Sequence, residues 1–207
     1  MSGSIFCNFG IGIAPTCGMT LSADKTSIVN GSSSKLTWKV DTFGSSNSGP
    51  AAYLSWQAGT VPPTTISNGI FRTFVPTANS TALSPASGGT KNVSPTKTTT
   101  YIGTCTVTGG SFNSTTLANS APVTVTVYPP VSGSCSASPT SITTGQSSTW
   151  TASPSGGNGT YTYSWSGTNS LSGTSKSVTK AYTNTGTKTA SVKISSAGSS
   201  KSIRELP

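Results

Sequence analysis

The segment Cys135 to Trp150 reads Cys-Ser-Ala-Ser-Pro-Thr-Ser-Ile-Thr-Thr-Gly-Gln-Ser-Ser-Thr-Trp, and Leu21 to Leu36 carries the same frame. Ser22, Ala23, Thr26, Ser27, Ile28, Gly31, Ser33 and Ser34 fall opposite Ser136, Ala137, Thr140, Ser141, Ile142, Gly145, Ser147 and Ser148, at an offset of 114 residues. Self-similarity at a fixed offset means one structural unit built twice. The 207 residues then divide into two units of ordinary domain size, each long enough to bury a core.

The unit is made of strands. Charged residues form only 7% of the chain, more than a third of it is Ser or Thr, and it carries 23 Gly and 13 Pro, a mixture that suits short strands and turns. No window sustains the i, i+3, i+4, i+7 apolar spacing of a helix. Period-2 alternation marks Cys17-Met19-Leu21-Ala23, Leu36-Trp38-Val40, Tyr101-Gly103-Cys105-Val107 and Val123-Val125-Val127 as strands with one buried face. A further strand is expected at Tyr53 to Gln57. In the second unit the strands read Cys135 to Ile142, Ser147 to Ala152, Tyr161 to Trp165, Lys176 to Tyr182, Lys188 to Ile194 and, weakly, Ser199 to Arg204. The expected division is an N-terminal extension over 1–16, a first domain over 17–127, a Pro-rich linker over 128–134 around Tyr128-Pro129-Pro130, and a second domain over 135–207. The two prolines of the linker restrict its backbone and predict a stiff connection. The stretch Gly59 to Thr90 is longer than a minimal sandwich needs, and long insertions are where binding loops tend to lie.

Composition excludes most chemistry. The chain has no His, which removes the commonest general base, the commonest metal ligand and the Ser-His and Cys-His dyads. Its acidic residues, Asp24, Asp41 and Glu205, are far apart in sequence, so paired-carboxylate hydrolysis and carboxylate-rich cation cages are poorly supplied. No catalytic residue, cofactor or metal site is therefore expected. The net charge of +9 comes from cations scattered between Lys25 and Arg204 without clustering, which is a solvated surface and not a nucleic-acid footprint. No apolar run is long enough to span a membrane. Met1-Ser-Gly-Ser lacks the basic region of a secretion signal, so the chain is expected to be a mature or excised piece. The sequons at Asn30, Asn79, Asn92, Asn113 and Asn158 are about what a chain this rich in Ser and Thr gives by chance, and they do not indicate glycosylation.

Four cysteines, at 7, 17, 105 and 135, have no C-x-x-C spacing, and with low charge they fit an oxidising, extracellular setting. Cys17 and Cys105 share the inward parity of their strands, which favours a bridge between them; the competing arrangement is a Cys7 to Cys17 loop. Under the favoured pairing Cys7 and Cys135 either pair within the chain, stay free or bridge neighbouring subunits. Leu21 falls opposite Cys135 in the repeat, so that thiol occupies a core-type position.

Tyr161-Thr162-Tyr163-Ser164-Trp165-Ser166-Gly167-Thr168-Asn169, followed by Val178, Tyr182, Gly186, Ala190, Val192 and Ile194, resembles the PKD-type (polycystic kidney disease repeat) immunoglobulin-like domain. The family's acidic turn residue has no counterpart in Ser166-Gly167-Thr168. Ser33-Ser34-Lys35-Leu36-Thr37-Trp38 and Val93-Ser94-Pro95-Thr96-Lys97-Thr98-Thr99-Thr100-Tyr101 are similar to bacterial Ig-like repeats. The resemblance covers most of residues 17 to 200. It implies an all-β chain of two tandem immunoglobulin-like antiparallel β-sandwiches in a secreted or surface protein, as a spacer, an adhesive module or an appendage of an enzyme.

The function expected is thus a non-catalytic extracellular module, a surface-protein stalk or spacer whose partners are a cell-surface or extracellular protein or glycan. A second reading makes the chain a filament subunit, a homo-oligomer in which Ile5, Phe6, Phe9, Ile11 and Ile13 form a donor strand added to a neighbour's sheet. The milder reading of that stretch is an extra edge strand on the first domain. A third reading is a carbohydrate-binding accessory module using a loop surface of Tyr53, Phe71 and Phe74. The four tryptophans, Trp38, Trp56, Trp150 and Trp165, are expected in structural roles, because Trp38 and Trp165 alternate with other core-facing residues.

Overall fold

The computed structural model of the chain describes residues 15–43, 49–58, 80–109 and 114–205, and these form sixteen strands and no helix. Contacts divide the chain into two compact units, Met1–Thr26 with Ser33–Val93 and Thr98–Val125, and Ser27–Ser32 with Ser94–Lys97 and Thr126–Pro207. The apolar segment 5–13 falls outside the described residues.

In the N-terminal sandwich, β1 (Thr16–Ala23), β3 (Ser34–Phe43) and β6 (Gly88–Val93) make one antiparallel sheet in the order β1-β3-β6. The second sheet runs β2 (Ser27–Val29), β9 (Val123–Tyr128), β7 (Thr99–Gly109), β4 (Ala51–Ala58) and β5 (Ser80–Ala82), with β8 (Ser114–Asn119) also on β7. Labelled by sequence, the sheets are A-B-E and A′-G-F-C-C′, the strand order of an immunoglobulin-like sandwich. The G strand is broken in two: β9 pairs with Thr99–Tyr101 and β8 with Thr104–Gly109. Ser120 bridges the break, donating its N–H to Gly103 O (2.8 Å) and accepting the Gly103 N–H on Oγ (3.0 Å). Alternation in β3 is strict: Ser34, Leu36, Trp38 and Val40 are buried, and Lys35, Thr37 and Lys39 are exposed.

The C-terminal sandwich repeats the plan. The sheet β10 (Ser132–Ser138), β11 (Ser147–Ser155) and β14 (Ser177–Ala181) is A-B-E. The other, in the order β13 (Leu171–Gly173), β12 (Thr162–Gly167), β15 (Ala190–Ser196) and β16 (Ser199–Glu205), is C′-C-F-G. Cys135, Trp150, Ala152, Trp165, Leu171, Ala190, Val192 and Ile194 form its core, with Tyr161 and Tyr163 packed against it. All-β, sandwiched and antiparallel except for the parallel pair of β2 with β9, the fold is the one the repeat and the composition require.

Three of the details that differ from the strands read off the sequence have a local cause or consequence. The first strand of the second sandwich ends at Ser138 and not at Ile142, because Pro139 has no N–H to continue a ladder. The last strand is not weak: Ser199–Glu205 pairs with β15 over its whole length. Of residues 128–134, Tyr128 still belongs to β9 and Ser132 already begins β10; between them Pro129 O accepts the Gly157 N–H (2.9 Å) and Val131 is buried in the core.

Candidate functional site

The repeated frame builds the same local device twice. Val29 to Ser32 and Thr143 to Gln146 are turns closed by equivalent bonds, Ser32 N–H to Val29 O (2.9 Å) and Gln146 N–H to Thr143 O (3.1 Å). Gly31 and Gly145 take the third position with φ of 91° and 89°, the left-handed geometry that type II turns reserve for glycine. Just beyond, Ser34 Oγ donates to Lys25 O and Ser148 Oγ to Pro139 O, both at 2.8 Å, and both serines are buried. In the first copy Asp24 reinforces the loop, accepting the Lys35 N–H (2.6 Å) and the Ser34 hydroxyl (3.1 Å) on Oδ1. The Lys35 N–H lowers the Asp24 carboxyl below its ordinary 3.8, with smaller help from Ser34, Lys25 and Lys35.

Around this device the two copies part. In the first, Ser27–Val29 runs as β2 parallel to Thr126–Tyr128, Asn30 N–H donates to Tyr128 O (2.8 Å), and Ile28 is buried at 4% exposure. In the second, Ser141–Thr143 is not part of any strand, Ile142 is half-buried, and Thr144, the counterpart of Asn30, donates its N–H to no described residue. Beside it opens a cavity of about 480 Å³ in the C-terminal sandwich. Pro139 to Thr144 and Asn184 to Lys188 line it, together with Glu205, the last residue of β16. Trp150 and Tyr182 also line it, both buried; the Trp150 Nε1–H donates to Tyr182 Oη at 3.0 Å. Gly145 N–H to Tyr182 O (2.8 Å) and Tyr182 N–H to Gln146 O (3.0 Å) hold the walls together. Lys188 Nζ donates to Thr185 O (3.1 Å) and lies 5.6 Å from the centre of the Tyr182 ring.

The cavity has few ionisable groups in its lining. Its ionisable lining is Lys188, Glu205 and the Tyr182 phenol, which already accepts from Trp150. No three His, Cys, Asp or Glu side chains gather into a metal site among the described residues. Near Glu205 the thiol of Cys135 is buried without a disulfide partner among the described residues. Burial pushes its pKa up and the Glu205 carboxylate adds to the shift, against a smaller opposing bond from the Glu205 backbone, so the thiolate is disfavoured.

A disulfide joins Cys17 on β1 to Cys105 on β7, the pair favoured by strand parity, with Cα atoms 6.3 Å apart. It crosses between the two sheets, from strand A to strand F. Cys7, Ile5, Phe6, Phe9, Ile11, Ile13, Phe71 and Phe74 lie outside the described residues. Tyr53 is half-buried on β4, paired with Ala82 and Thr104. Trp38, Trp150 and Trp165 are at most 4% exposed, and each indole N–H has an acceptor, Pro85 O, Tyr182 Oη and Ser175 O respectively. Trp56 is half-buried. The cavity was not foreseen, and its one sequence signal was that Ile28 and Ile142 occupy equivalent positions.

No protein-family model and no curated protein matches the chain. Among solved structures, similarity extends to a C-terminal 282-residue fragment of intimin in complex with the intimin-binding domain of the translocated intimin receptor. The TM-score is 0.49 and the identity 18%, over 91% of this chain and 64% of that one. The mouse nectin-like molecule 4 ectodomain (Ig1–Ig3) is similar at a TM-score of 0.37 and 14% identity, over 94% of this chain and 64% of that one. The N-terminal four Ig domains of Dscam1 isoform 6.9 are similar at 0.37 and 13%, over 87% and 42%. The chain spans less than two thirds of each of these chains.

Proposed function

We propose that the chain is a non-catalytic extracellular module of a surface protein, a spacer or adhesive unit of the PKD-like and bacterial Ig-like kind, with 17–127 and 135–207 as its domains. One observation carries the reading: the N-terminal sandwich is closed covalently between its sheets by Cys17–Cys105. Such a bridge persists in oxidising compartments and is reduced in most cytosols. The scarcity of acids, the lack of His and the satisfied tryptophans point the same way, toward a scaffold whose residues are used for cohesion.

Antibodies against the chain are expected to label unpermeabilised cells of the source organism, and protein recovered from them should carry the Cys17–Cys105 bridge. Labelling seen only after permeabilisation, with Cys17 and Cys105 both open to alkylation, would overturn the reading. The carbohydrate-binding alternative rests on Tyr53 together with Phe71 and Phe74, and of these only Tyr53 is among the described residues.

A further inference from the structure

Asparagine followed by glycine is a chemically reactive pair, because glycine has no side chain to keep its main-chain nitrogen away from the neighbouring amide. The pair occurs at Asn30-Gly31, Asn68-Gly69 and Asn158-Gly159, and the first and third lie among the described residues. Both are in exposed turns, yet their asparagine side chains are held differently. The Asn30 amide makes no hydrogen bond to a described residue. Asn158 accepts two on Oδ1, from the Ser196 hydroxyl (2.7 Å) and from the Thr160 N–H (3.0 Å). A main-chain N–H can only donate, so the atom facing Thr160 is the carbonyl oxygen and not the NH2. The Ser196 hydroxyl is oriented too: it accepts the Asn158 N–H (3.1 Å) and turns its own proton to Oδ1. Ser196 is buried at the end of β15, so close to the turn that a Cβ added at Gly157 would strike it. The Gly159 N–H has no acceptor among the described residues.

A carbonyl that accepts two fixed donors is polarised, and the same donors steady the oxyanion formed when a nucleophile adds to its carbon. We propose that Asn158 is a self-modifying residue, at which the Gly159 main-chain nitrogen displaces ammonia from the side-chain amide. Solvent base takes the Gly159 proton, the nitrogen bonds to Cγ of Asn158, and the oxyanion on Oδ1 lies between Ser196 and Thr160. The Cγ–Nδ2 bond then breaks, Nδ2 leaves as ammonia with a proton from water, and a succinimide ring remains. Water opens the ring at either carbonyl, leaving aspartate or isoaspartate at position 158. Either product adds a negative charge to a sandwich whose sequence has Glu205 as its one acid. Isoaspartate also lengthens the main chain by one carbon at the point where the turn is pinned to Ser196. The site rests on different residues from the spacer reading, and neither stands or falls with the other.

The test follows the full chain through incubation at mildly alkaline pH by peptide mapping, with Asn30 as the internal reference. Because the turn is open to water, which weakens such donors, Asn158 is expected to lose its amide about ten times faster than Asn30 in the folded chain. In urea, where only the shared Asn-Gly sequence remains, the two should run alike. Ser196→Ala should slow Asn158 and leave Asn30 as it was, and isoaspartate at 158 should mark passage through the ring. The proposal is overturned if folded Asn158 reacts no faster than Asn30, or more slowly than it does in urea. An unchanged or faster rate in folded Ser196→Ala would overturn it as well, since the hydrogen bonds would then only be pinning the amide. If Ser196→Ala does not fold, the comparison of Asn158 with Asn30 in the wild-type chain decides.

Discussion

Ser34 and Ser148 show how much a single repeated side chain fixes. Each is buried and gives its hydroxyl to a carbonyl nine residues back, tying the loop before the B strand onto that strand. Replacing Ser148 with Ala should cost roughly 1 to 2 kcal/mol, the loss of one such bond together with an acceptor left less well satisfied; urea denaturation measures it. The Ser34→Ala change should cost at least as much, because the Ser34 hydroxyl is bonded to Asp24 Oδ1 as well as to Lys25 O. Asp24 adds a pH dependence confined to the first copy. Its folded pKa lies below 3.8, so its contribution is present above that value and is lost as the pH falls through the folded pKa. Asp24→Asn should therefore flatten the acid limb of the stability curve below about pH 4 and leave neutral behaviour to the hydrogen bonds alone. Gly156 is a third case. Its φ is 72° and an added Cβ would strike the backbone carbonyl of Pro130, so Gly156→Ala should lower stability by about 1 to 3 kcal/mol.

Among the elements, strands with strong faces were legible and strands without them were not. Leu36-Trp38-Val40, Cys17-Met19 and Val192-Ile194 alternate cleanly because one face meets a core and the other water. Ser80–Ala82, Gly88–Val93 and Leu171–Gly173 are short strands of mostly small and polar residues, and their pairing is dictated by the neighbour each lies against. The bridge was legible in part, since parity put Cys17 and Cys105 on inward faces but left Cys7 as a rival. It links β1 to β7 across 88 residues of sequence. Reduction should cost about 2 to 4 kcal/mol. Hydrogen exchange should show it as faster exchange at Leu36 and Val40, with Val192 and Ile194 unchanged. The cavity was illegible because its walls, Pro139 to Thr144 and Asn184 to Lys188, meet only through the fold. The sequence showed that Ile142 repeats Ile28; only the structure shows that Ile28 pairs with Val127, whereas Ile142 pairs with no strand among the described residues.

Over the whole molecule one sandwich plan occurs twice and is used for cohesion, and the first copy is locked by a cross-sheet bridge. A module of that kind should bear load. Stretching single chains between their termini tests this most directly. Two separate unfolding steps are expected, one for each sandwich. With Cys17–Cys105 intact, the first sandwich cannot release the 88-residue span between the cysteines. Adding reductant should therefore lengthen its step by roughly 300 Å, the contour of that span at about 3.4 Å per residue. The C-terminal step should stay as it was. A single step, gradual extension without steps, or equal step lengths with and without reductant would contradict the account.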